Sequence, residues 1–344
     1  MTDNTLTTTN DLLTQAGQAA NKAAGAAAFV DYRSRKADNT LRRQAADLAL
    51  FGQFLADVGT QAGDLATDPE SWAGITWGLV TAYARWQLTR GYAVSSINGH
   101  LSTVKIYSKL AAKAGAITPQ ELAMIHTVEG YSHKEIKHVD EKRTAAGVGT
   151  RKSTKKADPV SLTPAQVKQL KAQPNTPQGR RDRLMLCLML DLGLRVGELA
   201  ALTVDCFNLA ESTLTFYRAK VDRTQTHKLI NGCRAAARDW LNSGDAPAIG
   251  NVWRSSRKGG ELAGAGMTER GITKRVAALG AAIGVSGLSA HDLRHNWATQ
   301  AARNGTPLDR LQDAGGWSSL AMPGRYIEAA KIANTGINLG AEED

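Results

Sequence analysis

Only three of the 344 residues are cysteine, and Cys187, Cys206 and Cys233 stand far apart and odd in number, so neither a disulfide framework nor a zinc knuckle is on offer. Nowhere do Asp, Glu, His and Cys cluster at metal-ligand spacing, so the sequence predicts no metal and no cofactor. A run of eighteen or more apolar residues is also missing, which excludes a transmembrane helix by pattern. Before Lys22 there is no Lys or Arg, nor any apolar stretch of the signal-peptide kind, so a cytoplasmic location is expected. Large apolar side chains are scarce over the first 28 or so residues, which are rich in Thr, Asn, Gln and Ala; residues 1–29 therefore read as a flexible tail, at most with a nascent helix over the alanines.

What remains is a globular composition, 42% hydrophobic and 22% charged, long enough for two domains at about 150 residues each. Forty-two Lys and Arg against 32 Asp and Glu give a net charge of +10 and a pI near 9.6. That is the electrostatic footprint of a nucleic-acid binder, although charge alone names no chemistry.

Residues 30–132 read as a compact four-helix domain. Leu41, Ala45, Leu48, Phe51, Leu55 and Val58 step by three or four. Leu79, Tyr83 and Trp86 mark a second helix, and Val94, Ile97, Leu101 and Val104 a third that closes at Gly115. Thr118-Pro119-Gln120-Glu121 reads as a capping box that opens a fourth. Residues 133–160 carry eight Lys or Arg and four acids without apolar periodicity, the pattern of a flexible basic linker.

The second domain, 161–328, opens with another capping box at Thr163-Pro164-Ala165-Gln166. An apolar helix from Leu184 to Leu192 ends at Gly193. Alternation over 213–217, turn residues at 221–224 and a second run over 225–230 predict a β-hairpin. Ser289 caps a later helix with Asp292, Thr306 opens the next, and Gly315-Gly316 breaks the chain before Tyr326. The expected fold class is mainly α with one small antiparallel sheet.

Four elements could carry chemistry. His291 and Arg294 share a face in the first turn of a capped helix, where an imidazole and a guanidinium suit a phosphate-sized anion. Arg195 lies in an apolar stretch and needs a partner; Glu198, three residues on, provides either a structural ion pair or a group that orients Arg195 toward a phosphate. Lys220 ends the first hairpin strand, with Arg218, Arg223 and Lys228 as basic neighbours. Tyr326 follows Trp317 by nine residues.

In this order and spacing, Arg195, Lys220, His291-x-x-Arg294, Gly316-Trp317 and Tyr326 resemble the tyrosine recombinases, or phage integrase family, over residues from about 30 to 330. The resemblance implies a helical core-binding domain of SAM-like fold, a basic linker and a catalytic domain. It implies that Tyr326 attacks a DNA phosphodiester to give a 3′-phosphotyrosyl link without metal or ATP. Arg195 and Arg294 then stabilise the transition state, Lys220 protonates the leaving 5′ oxygen, and His291 handles the nucleophile's proton. Most members carry a second histidine where Trp317 stands; Cre-like members have tryptophan, whose indole N–H donates a hydrogen bond but carries no proton in turnover. The implied partner is double-stranded DNA with paired inverted half-sites, bound by a homotetramer in the nucleoid, with the tail 329–344 packing in cis or on a neighbouring protomer and no membrane involved. Ser95, Ser96, Lys105 and Arg270 are the expected DNA contacts. Two other readings are a type IB topoisomerase, and a DNA binder without catalysis that uses 289–327 as a helix-turn-helix.

Overall fold

The structure, a computed structural model, describes residues 9–150, 159–230, 232–264 and 266–330. It divides into two compact units, Met1–Lys155 and Lys156–Asp344.

The first unit is helical: α1 (Thr9–Ser34), α2 (Asp38–Asp57), α3 (Trp77–Thr89), α4 (Val94–Ala114), α5 (Pro119–Thr127) and α6 (His133–Ala145), with a short 3₁₀ turn at Pro69–Trp72. Of the stepped positions, Leu48, Phe51 and Leu55 of α2 and Val94, Ile97, Leu101 and Val104 of α4 face inward, whereas Ala45 and Val58, the latter at the end of α2, are exposed; Phe51, Phe54, Trp72, Tyr83 and Tyr107 form an aromatic centre. Gly115, at φ +89°, ends α4 in the left-handed conformation. At Thr118 half of the anticipated capping box forms: its hydroxyl accepts from the Glu121 N–H, while the Glu121 carboxylate accepts from the Trp77 N–H.

Two expectations of disorder are overturned. From Thr9 onward the supposed tail is α1, which packs along α4. Residues 11–24 are exposed and the buried side begins only at Gly25 and Ala28, with Phe29 and Tyr32 edge-on to Tyr107 at its end, so no large apolar periodicity advertised the helix over the first 28 residues. The linker expected over 133–160 begins instead as α6, held by a full Ser132/Glu135 capping box. Its one buried side chain is Arg143, which donates to the carbonyls of Tyr92 and Gly149 and pairs with Asp140. A helix anchored by one arginine leaves no apolar stripe to read. Residues 151–158, and the expected tail from 331 on, lie outside the described residues.

The second unit contains α7 (Pro164–Lys171), α8 (Pro177–Asp191), α9 (Val196–Ala200), α10 (Cys233–Leu241), α11 (Glu269–Ala282), α12 (Ala290–Arg303), α13 (Leu308–Gly315) and α14 (Ala321–Ala330). Every residue from Leu184 to Leu190 is buried, so α8 is the central helix against which α7, α10 and α12 pack. The strands β1 (Phe207–Asn208), β2 (Thr213–Arg218) and β3 (Arg223–Lys228) form an antiparallel sheet in the order β1-β2-β3. Pairing extends to Arg218↔Arg223, so the turn is 219–222, two residues earlier than the turn residues suggested. Lys220 therefore sits within the turn rather than at the strand end. A second sheet, unanticipated, pairs β4 (Ser255–Ser256) with β5 (Leu262–Ala263).

Candidate active site

Local sequence sets the positions of the two arginines. The chain leaves α8 through Gly193 at φ +65° and turns directly into α9, which Arg195 precedes. Glu198 on α9 ties this corner: one carboxylate oxygen accepts from the Arg195 backbone N–H at 2.9 Å, the other from its guanidinium at 2.7 Å. Arg195 also donates to the Gly316 carbonyl at 2.7 Å.

Ser289 starts α12, its N–H and hydroxyl both donating to the Asp292 carboxylate at 2.7 Å. Arg294 on the next turn is 3% exposed. It donates to the Gly193 carbonyl and, at 2.6 Å, to the Gly315 carbonyl. The carbonyls at the end of α13 thus hold both arginines, one each. Gly316, at φ +57°, terminates α13 and delivers Trp317 beneath the Arg294 guanidinium, 4.5 Å from the ring centre.

Tyr326 lies on α14, 5% exposed, with its ring 5.7 Å from Trp317 and 5.0 Å from His295. Arg195, Glu198, Arg294, Trp317 and Tyr326 therefore form one linked cluster. Lys220 is exposed in its turn, and with Gly316, Trp317 and Ser318 it lines an open cleft of 480 Å³. His291 is exposed in the first turn of α12; the imidazole seated on the tyrosine ring is His295, four residues on, which the motif contained but the sequence reading left without a role. A second residue it left unassigned, Arg218, is buried beneath the arginines.

The electrostatics follow from this crowding. Burial, then the neighbouring Arg195, depresses Arg294 to about 9, with Glu198 opposing. Burial raises the Tyr326 phenol, opposed by Arg294 and Arg195. Burial, and then the charge of His291, lowers His295. A protonated phenol, a neutral imidazole against it and guanidiniums in surplus over carboxylate together suit an anion that a tyrosine attacks.

Gly193 bears on both stability and the site. A Cβ there would come within 2.2 Å of the Trp297 ring. Gly193→Ala is expected to cost about 1–3 kcal/mol through overpacking and left-handed strain, and a melting temperature equal to wild type would contradict that contact.

Of the expected DNA contacts, Ser95 and Ser96 are exposed on the first turn of α4, and Arg270 is exposed at the start of α11. The Lys105 ammonium donates to the His126 carbonyl at 3.2 Å and lines a cleft with Ser102 and Lys109.

Known proteins resemble the chain along most of its length. Tyrosine recombinase XerD of Lacticaseibacillus casei is 26% identical over 281 residues, 80% of this chain and 82% of that protein. XerD of Pseudomonas aeruginosa is 26% identical over 302 residues, 86% and 88%. XerC of Herpetosiphon aurantiacus is 29% identical over 181 residues, which are 50% of this chain and only 56% of that protein. In fold, the Tn1549 transposon integrase in complex with transposon right end DNA superposes with a TM-score of 0.60 at 14% identity, covering 88% of this chain and 94% of that one. A lambda integrase dimer bound to a COC′ core site gives a TM-score of 0.57 at 16% identity, covering 92% and 96%. The sequence profile of the phage integrase family matches residues 161–332, half of the chain and the whole of the arginine–tyrosine cluster, and the protein belongs to that family.

Proposed function

We propose that this protein is a site-specific DNA recombinase of the tyrosine class, acting in the cytoplasm on double-stranded DNA. The observation that carries the reading is the convergence of Arg195 and Arg294 on the Gly315-Gly316 carbonyls beside the buried Tyr326. The two guanidiniums hold the non-bridging oxygens of a phosphodiester and stabilise the extra charge of its five-coordinate transition state.

The Tyr326 oxygen bonds to phosphorus, and the bond to the 5′ oxygen breaks. His291 takes the phenol proton, while His295 fixes the ring's orientation. Lys220, on its exposed turn at the cleft, gives a proton to the departing 5′ oxygen. The phosphotyrosyl link conserves the energy of the broken bond, so the reverse attack by a 5′ hydroxyl rejoins strands without ATP. Cationic side chains do the electrostatic work here, so neither metal nor cofactor is required. Trp317 acts as in Cre-like members, by packing and hydrogen bonding and not by proton transfer.

Ser95, Ser96, Lys105 and Arg270 contact DNA away from the chemistry. The assembly is a homotetramer on paired inverted half-sites, with the C-terminal segment docking on a neighbouring protomer. A helix-turn-helix reader is disfavoured because Arg294 and Tyr326 are buried, whereas groove-reading side chains must be exposed.

The test uses DNA carrying the protein's own site, mapped by footprinting, with a nick just beyond the scissile phosphate so that the cleaved fragment diffuses away. The expected result is a covalent protein–DNA adduct, in EDTA as in buffer, and strand exchange with a second duplex. Binding without an adduct would leave only a DNA-binding protein; an adduct that relaxes supercoils but never exchanges partners would make it a topoisomerase.

A further inference from the structure

Among the described residues, Arg218 is the one fully buried arginine next to the cluster that the mechanism does not use. It closes β2, and the pleat sends it inward with Leu214 and Phe216, a position that an apolar residue would fill at no electrostatic cost. Nη2 instead donates to the Ala314 carbonyl at 2.9 Å and to His227 Nε2 at 3.3 Å. Nη1 lies 3.7 Å from the same Glu198 oxygen that holds Arg195, and the guanidinium carbon sits 4.9 Å from the centre of the Phe216 ring. Nε and Nη1 have no hydrogen-bond partner.

Such an arginine is poorly served as a structural residue and well placed as a link. One guanidinium joins the hairpin that carries Lys220, the carboxylate that orients Arg195, and the 314–316 backbone whose carbonyls hold Arg195 and Arg294. The loop is fitted to it: a Cβ on residue 316 would lie 2.4 Å from Nη1, so only glycine lets the loop settle over the guanidinium. His227 is fitted to it as well, since burial and the Arg218 charge hold that imidazole at about 4, neutral and able to accept. Arg195 and Arg218 thus share the Glu198 carboxylate, whose charge Arg294 also feels, with Asp313 as a further acid near Arg218, so three guanidiniums outnumber the two carboxylates around them and leave positive charge where a phosphate would sit.

We propose that Arg218 is a positioning residue for the phosphate clamp, holding Glu198 and the 314–316 carbonyls in the one arrangement that aims Arg195 and Arg294 at the scissile phosphate. The proposal rests on the recombinase reading above. It predicts a defect in stabilising phosphate charge rather than in binding DNA.

The experiment measures cleavage by the full-length protein on two nicked half-sites from the mapped site, one with an ordinary phosphodiester and one with a methylphosphonate at the scissile position. The methylphosphonate lacks one negative oxygen and leans less on the clamp. Arg218→Met is expected to slow phosphodiester cleavage about 10- to 100-fold, with half-site affinity unchanged. The defect should shrink on the methylphosphonate, and Arg218→Lys, which keeps the charge but cannot span all three partners, should fall between. An equal loss on both substrates, or wild-type rates in both variants, overturns the proposal. If Arg218→Met fails to fold, Arg218→Lys decides by the same two-substrate comparison. Arg195→Ala is run alongside: if it cleaves normally, the clamp reading itself fails, and if it is crippled while the Arg218 variants are not, only the role of Arg218 falls.

Discussion

Arg195→Ala is expected to slow strand cleavage about 10²- to 10³-fold while leaving DNA binding nearly intact, the usual cost of removing one preorganised charge donor. Its side chain is 21% exposed, so the substitution opens the site more than it hollows the core. Glu198 keeps its hydrogen bond from the backbone N–H of residue 195 and its proximity to Arg218, so the corner at α9 survives. Arg294→Ala should lose at least as much cleavage, but it also strands the Gly193 and Gly315 carbonyls that Arg294 satisfies. Each orphaned buried acceptor costs about 1–3 kcal/mol, so this variant should melt earlier than Arg195→Ala, which strands the Gly316 carbonyl alone. Single-turnover cleavage of the nicked half-site, with a gel-shift titration and a melting curve for each variant, separates the two. Cleavage by Arg195→Ala within a few-fold of wild type would mean that the guanidinium never reaches the phosphate.

The parts of this arrangement that were legible in the sequence are those set by local chemistry. Capping residues announce themselves at short range, and Thr163/Gln166 and Ser289/Asp292 fold as their spacing predicts. The alternation of β2 was visible, and so was the break at Gly193, because each rests on neighbours within a few residues. Helix α1 escaped because it is exposed over 11–24 and its large packed side chains, Phe29 and Tyr32, come only near its end, and α6 because one buried arginine anchors it. Arg218 shows the general limit. Its inward position follows from the same alternation as Leu214 and Phe216, so the signal was present. What makes that position useful, Glu198 twenty residues before it and Ala314 ninety-six after, exists only once the chain is folded. His295 likewise meets Tyr326 only through the packing of α14 on α12.

Tyr326→Phe is expected to abolish covalent capture altogether while folding and DNA binding persist. The substitution removes one oxygen from a side chain whose ring packs between His295 and Trp317, and phenylalanine keeps both contacts. The competing tyrosines are poorly placed. Tyr217 is exposed, and its hydroxyl donates to Asp222 at 2.6 Å on the hairpin. Tyr107 is buried in the aromatic centre of the first unit, and Tyr131 belongs to that unit as well. Among the described tyrosines, Tyr326 is the one that feels Arg294 and Arg195, and their charges oppose the rise that burial imposes on its phenol. That opposition strengthens as the oxygen becomes negative, so the same guanidiniums that grip the phosphate favour the nucleophile's ionisation once the proton has somewhere to go. The measurement is to trap the adduct on a nicked half-site, digest it and identify the DNA-bearing peptide by mass. An adduct on any other residue, or capture that survives in Tyr326→Phe, would move the nucleophile elsewhere and leave the arginine cluster facing a tyrosine with no chemical task.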